Sequence, residues 1–217
     1  MTAPQHAPLT VAAVDCGTNS IRRLITRRDD DGSLTEVTRE NTIVRLGQGV
    51  DETGRFNPEA IERTRQALAA YTERMRAEGV QRVRMVATSA TRDASNREDF
   101  FAMTRELLGQ IQQGAQAEVI SGEEEAHLSF RGATADIDPA RGPFCVIDLG
   151  GGSTEFVMEQ GARSTQMGCV RITERFMRTD PPTVPETESA RAYIRDRIAE
   201  AAEVVPFLPL IHISEPT

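Results

Sequence analysis

The feature that most constrains this chain is a unit that it carries twice. Residues 9–16 form a short apolar run ending at Asp15, which breaks into Gly17-Thr18-Asn19-Ser20 before a second extended run begins. Residues 144–149 repeat the pattern, with Asp148 near the end, then Gly150-Gly151-Gly152-Ser153-Thr154 and a returning run from Glu155 to Met158. An apolar run, a tight turn and a second extended run predict a β-hairpin in each case. Turns rich in Gly, Ser and Thr expose consecutive backbone N–H groups and hydroxyls, the geometry that cradles phosphate oxygens. An Asp at the strand end can hold a divalent cation directly or through water. Two copies at domain-like separation predict two domains of like topology with a paired phosphate site across the cleft between them.

The rest of the chain fits that frame. Strands are expected at about 21–27 and 34–46 around the acidic turn Asp29-Asp30-Asp31-Gly32, giving a β-meander, followed by a Gly-rich loop from Gly47 to Gly54. Asn57 and Pro58 mark a helix start, Ile61, Leu68, Tyr71 and Met75 share one helical face, and Gly79 stops it. Beyond it the pattern predicts a strand at 80–88, a helix at 96–113, a strand at 118–120 and a helix at about 122–135. In the second copy it predicts a strand at 163–170, a helix near 171–178 and a last helix from about 186 to 204. Strands alternating with helices argue for an α/β layer architecture. The domain boundary is placed near 136–142, giving a first domain at 9–138 and a second at 139–207.

Composition narrows the chemistry. The 217 residues are 39% hydrophobic and 27% charged, which suits a globular core. No apolar run is long enough to span a membrane, and the N-terminus has no secretory pattern, so the expected location is cytoplasmic. The net charge of −8 argues against broad binding to nucleic acid or to anionic membranes. All 25 basic residues are Arg. Without Lys there is no Walker A loop and no Schiff-base chemistry, and Arg remains the side chain that grips phosphate. Cys16, Cys145 and Cys169 are too widely spaced for a zinc pair or a disulfide framework.

Five segments together carry a resemblance. They are 14–22, 87–97, Ile120-Ser121-Gly122-Glu123-Glu124-Glu125-Ala126, 147–155 and Met167-Gly168-Cys169-Val170-Arg171. In that order they resemble the exopolyphosphatase/guanosine pentaphosphate phosphatase (Ppx/GppA) family. The resemblance implies two ribonuclease-H-like domains of the actin/Hsp70/sugar-kinase superfamily around a cleft, the second of them incomplete here. It implies hydrolysis of the terminal phosphate of inorganic polyphosphate, with guanosine pentaphosphate (pppGpp) as the alternative substrate. Glu125 matches the general base that acts on the attacking water, with Glu124 as its neighbour in reserve. Asp148 and Glu155 match the Mg²⁺ positions, at which Mn²⁺ could substitute. Asp15, Gly17, Thr18, Asn19, Ser20 and Arg22 fall in the first phosphate loop, Arg92 meets the phosphate chain, and Gly150, Gly151, Gly152 and Ser153 form the second loop. The resemblance also leaves a homodimer open.

Each of these features has a plainer reading. Three successive Glu residues are ordinarily a solvated helix start favoured by the helix dipole. Residues 87–96 read alone as a polar loop ending in a cap at Ser95 or Asn96, His127 as a surface residue, and Cys16 and Cys145 as core thiols. Arg23, next to a phosphate-facing Arg22, should point to the opposite face of its strand and burden the core there. Residues 1–8 read as a disordered tail and 208–217 as sequence foreign to the family. Two rival functions remain: a kinase of the same superfamily, and a polyphosphate- or nucleotide-binding module without turnover.

Overall fold

The computed structural model describes residues 9–207. The expectations for 1–8 and 208–217 therefore lie outside the described residues. Chain contacts divide the protein into two compact units, between Ile120 and Ser121.

The first unit is built on a meander. β1 (Leu9–Cys16), β2 (Ser20–Arg28) and β3 (Leu34–Ile43) pair antiparallel, as the turn chemistry predicts. α1 (Val50–Thr53) lies inside the Gly-rich segment that was read as a loop. α2 (Pro58–Ala77) starts where Asn57 accepts the amide of Glu59 at 2.9 Å, and Gly79 follows its end with φ +66°. β4 (Arg82–Ala87) then returns parallel to β1. α3 (Ser89–Asp93) and α4 (Arg97–Leu108) lead to β5 (Ala117–Val119), completing the order β3-β2-β1-β4-β5. Residues 89–93 are thus a helical turn with Ser89, Ala90 and Thr91 buried, rather than a polar loop. Asn96 takes the N-cap position of α4, but its side chain accepts the Phe56 amide at 2.7 Å instead of capping the helix.

Strand alternation explains which face of this sheet is buried. Ala12, Val14 and Cys16 of β1 sit opposite Ile25, Arg23 and Ile21 of β2, and Val83, Met85 and Ala87 continue the row in β4. Leu68, Tyr71 and Met75 of α2, with Phe100, Leu107 and Leu108 of α4, join them in one buried cluster. Arg23 is carried into that core because the same pleat turns Arg22 outward. It does more than burden the packing. Its Nη2 donates to Glu40 at 2.9 Å, and its guanidinium lies 4.9 Å from the centroid of the Tyr71 ring.

The second unit opens with α5 (Gly122–Thr134), followed by β6 (Val146–Leu149), β7 (Thr154–Met158) and β8 (Gly161–Thr165), an antiparallel sheet in that order. α6 (Cys169–Phe176) and α7 (Val184–Val204) complete it. A capping box starts α7: Thr183 accepts the Glu186 amide, and Glu186 accepts the Thr183 amide at 2.7 Å. Phe156, Met158, Met167, Ile172, Ala190 and Ala201 form the second core, with Phe207 stacked on Phe156.

Two expectations are corrected here. The strand expected at 163–170 ends at Thr165, because the chain turns there to run along the Gly150–Ser153 loop and start α6. The boundary expected at 136–142 falls at 120/121 instead, because α5 packs on β6, β7 and β8. No helix among the described residues is long and apolar enough to cross a membrane.

Candidate active site

The loop between β6 and β7 is held from behind. Gly150 N–H donates to Ser153 C=O at 3.0 Å, and the start of α6 occupies every other carbonyl. Cys169 N–H donates to Gly150, Val170 and Arg171 N–H to Gly151, and Gly168 N–H to Gly152. The Arg171 side chain adds a bond from Nε to the Gly152 carbonyl at 2.8 Å. These are the donors that a helix N-terminus leaves without intrahelical partners. With all four carbonyls taken, the amides of Gly151, Gly152 and Ser153 are left without a protein acceptor among the described residues. Unpaired amides are rare at buried positions, and Gly152 and Ser153 are buried. Three in succession form a concavity suited to an anion. Gly168 makes the approach feasible, since a Cβ there would lie 2.2 Å from the Gly151 carbonyl carbon.

The predicted acids surround the same loop. Asp148 and Glu155 are directly opposite each other in the β6–β7 register, on the face that α5 covers. Ser129 of α5 donates to Asp148, and Ser164 of β8 donates to Glu155 at 2.7 Å. Glu155 is 1% exposed, so its carboxylate is held by protein groups, Ser164 among them, rather than by bulk water. Glu125 sits in the first turn of α5, half-buried, one helical turn before Ser129. Ser121 caps that turn by accepting the Glu124 amide. His127 is exposed, with Nε2 4.0 Å from Glu123 Oε1 and outside this group.

In the first unit the turn after β1 is built by the same rule. Gly17 N–H donates to Ser20 C=O, Gly47 N–H to Thr18 C=O, and both Val44 and Arg45 N–H to Asn19 C=O, at 2.8–3.0 Å. The Thr18 and Asn19 amides are left without protein acceptors among the described residues. Gly47 is the counterpart of Gly168, because a Cβ there would come 2.3 Å from Thr18 Cγ2. The buried Oγ1 atoms of Thr18 and Thr91 also lack a partner. Asp15 pairs with Arg22 across the hairpin, Oδ2 to Nη1 3.9 Å, with both side chains partly exposed. Arg92 leans back, its Nη1 donating to the Ile120 carbonyl at 2.9 Å.

The structure thus brings Asp148, Glu155 and residues 150–153 together in the second unit, with Glu125 on the helix that packs against their strands, one turn before Ser129. It brings Asp15, Gly17, Thr18, Asn19, Ser20 and Arg22 together in the first, with Arg92 beside β5. Sequence reasoning missed the clasp at 44–47, whose only visible signal is Gly47, and it took 168–171 as part of the family resemblance without its role of holding the second loop. It also missed Ser129, whose signal was its i+4 spacing from Glu125.

Among the described residues no group of three or more His, Cys, Asp or Glu side chains could enclose a metal ion. Two facing carboxylates nevertheless suit Mg²⁺, a hard cation commonly bound by one or two carboxylates together with substrate phosphate and water.

Two α/β units, each containing a strand that carries an acid near its end and a clasped turn after it, define a protein of the actin-like fold. The Ppx/GppA phosphatase family model matches residues 24–208, and the chain belongs to that family. It is 54% identical over 203 residues to exopolyphosphatase 2 of Mycobacterium tuberculosis, covering 90% of this chain and 64% of that protein. A crystal structure of an exopolyphosphatase-like protein is 43% identical with a TM-score of 0.83, over 92% of this chain and 63% of the other. The Aquifex aeolicus family member is 33% identical with a TM-score of 0.66, over 89% and 63%. A Cytophaga hutchinsonii exopolyphosphatase is 26% identical with a TM-score of 0.78, over 88% and 61%. The chain therefore spans slightly less than two thirds of these relatives.

Proposed function

We propose that this chain carries the phosphohydrolase site of an exopolyphosphatase, releasing terminal phosphate from inorganic polyphosphate in a Mg²⁺-dependent reaction. The observation that carries this reading is the 150–153 loop, whose carbonyls are all occupied while three successive amides await an anion. The relatives named exopolyphosphatase support the substrate class.

Phosphoanhydride cleavage asks for positioning and charge neutralisation more than for covalent chemistry. The amides of Gly151, Gly152 and Ser153 take the phosphoryl oxygens, where fixed donors cost no reorganisation during reaction. Glu125 orients the attacking water and accepts its proton. Asp148, steadied by Ser129, and Glu155, steadied by Ser164, would hold the Mg²⁺, which when bound offsets phosphoryl charge. On the first unit, Asn19, Ser20, Arg22 and Arg92 supply a further set of phosphate-binding groups, with Asp15 as an acid at the same loop.

The test is phosphate release from long-chain polyphosphate with Mg²⁺, beside a Glu125→Gln control. Loss of general-base catalysis lowers the rate by about 10²–10⁴-fold. Parallel incubation with guanosine pentaphosphate reads whether the site also accepts a nucleoside-linked chain. Tight binding without turnover in the folded protein would refute hydrolysis and leave a binding module.

A further inference from the structure

Arg45 stands where an Arg is not expected. Its φ is +51°, in the left-handed region, and no other non-glycine among the described residues has a positive φ. Glycine takes this conformation without cost and bulky residues do not, so a retained Arg needs a reason. Strained backbone persists only where its surroundings over-determine it, and such residues cluster at functional sites. The surroundings here do so. Val44 and Arg45 N–H both donate to the Asn19 carbonyl, at 3.0 and 2.9 Å, and the Arg45 carbonyl accepts Gln48 N–H at 3.1 Å. Arg63 of α2 reaches across to donate from Nε to the Val44 carbonyl and from Nη2 to Gln48, both at 3.0 Å. Val44 and Leu46 on either side are buried in the core.

All of that fixing acts through backbone atoms of Arg45, and none uses its guanidinium. The side chain is exposed, and no ion pair or side-chain hydrogen bond holds it among the described residues. The second unit supplies a contrast. There the clasp also carries an Arg, but Arg171 turns its Nε inward to the Gly152 carbonyl and serves the loop itself. The first clasp holds its loop without such help, so the charge of Arg45 is available to a ligand beside Asn19.

We propose that Arg45 is a further phosphate-binding residue of the first loop, held in a strained backbone so that its guanidinium meets the oxygens of a phosphate chain lying on Thr18 and Asn19. The proposal rests on the phosphohydrolase reading above. Arg presents a planar fork of donors that matches phosphoryl oxygens, and in a chain of net charge −8 a local cation at the loop offsets substrate repulsion.

The test is calorimetric binding of inorganic tripolyphosphate to the whole chain, at several salt concentrations, with thermal melts alongside. Arg45→Gly removes charge and strain together, Arg45→Asn tolerates the left-handed backbone, and Arg45→Lys keeps the charge. Arg76→Ala is the control, since it removes an exposed charge on α2 near the opposite end of β1 from the loop. Arg45→Gly and Arg45→Asn are expected to weaken binding about tenfold, the loss of one charge-assisted contact, and to flatten its salt dependence. Their melting temperatures should stay at or above that of the parent, Arg45→Lys should retain most of the affinity, and Arg76→Ala should change little. Unchanged affinity and salt slope in both variants, while the parent binds, would overturn the proposal alone. A melting temperature several degrees lower in Arg45→Gly would overturn it as well, by giving the guanidinium a structural role. Failure of the parent to bind tripolyphosphate would overturn the phosphohydrolase reading beneath it.

Discussion

Replacing Arg23 by Met should make the protein more stable, although it deletes an ion pair. The Arg23 side chain is 1% exposed while that of Glu40 is 51% exposed, so most of the desolvation cost falls on the guanidinium. One nitrogen meets Glu40, but Nε and Nη1 are buried with no hydrogen-bond partner. Buried pairs replaced by apolar residues commonly gain about 1–4 kcal/mol, whereas removing one partner from such a pair costs about 3–5 kcal/mol. The half-exposed carboxylate and the Tyr71 ring at 4.9 Å soften both limits. We therefore expect Arg23→Met to gain about 1–2 kcal/mol and Glu40→Gln to lose about 1–3 kcal/mol. For a domain of this size each kcal/mol moves the melting temperature by about 2–4 °C. Urea unfolding followed by circular dichroism, with an unchanged m-value, reads both changes. Glu40→Gln in the Arg23→Met background should be nearly silent, because the charge that it strands is gone. If Arg23→Met loses as much stability as Glu40→Gln, the guanidinium is a net stabiliser and the reasoning fails.

Other outcomes follow from the clasp, the capping box and the thiols. Gly168→Ala would drive a methyl into the Gly151 carbonyl group, so the phosphate loop must shift, and phosphate release should fall at least as far as with Glu125→Gln while α7 remains folded. Hydrogen bonds from Thr179, then Thr183, hold the Glu186 carboxylate well below its usual 4.5, at about 2. Its folded value is the depressed one, so its contribution is complete above pH 4.5 and is lost as pH falls towards 2. Glu186→Gln should be less stable than the parent at neutral pH, and the difference should close across that window in pH-dependent melts. Among the thiols, exposed Cys169 should react with a disulfide reagent in the native protein. Cys16 should react only on unfolding, because burial and then the Asp15 carboxylate push its pKa up.

The parts of the fold legible in the sequence were those written in local patterns. The apolar run at 9–16, the acid at Asp15 and the turn residues at 17–20 mark a hairpin without any tertiary information, and the same holds at 146–154. Asn57-Pro58 marked the start of α2 because capping is a local bond. The allegiance of α5 was not local. The helix was read as the last element of the first domain, but what assigns it to the second unit is Ser129 donating to Asp148 and the packing of α5 on β6, β7 and β8. The clasps were hidden for another reason. Backbone N–H groups bonding to loop carbonyls leave no side-chain signature, so 163–170 looked like one long strand and 47–54 like an open loop. Arg45 passed unnoticed because only its dihedral, and not its residue type, sets it apart.

The loop at 150–153 also bears on the entropy of binding. A mobile phosphate loop must be ordered by its ligand, and that ordering is subtracted from affinity. Here the carbonyls are already fixed by the start of α6 before any anion arrives, so little motional freedom remains to be lost. The same arrangement places the positive end of that helix behind the loop, where its field acts through the fixed amides. A polyanion that settles there exchanges its hydration shell for a rigid array of peptide dipoles, and the backbone needs little further adjustment to receive it.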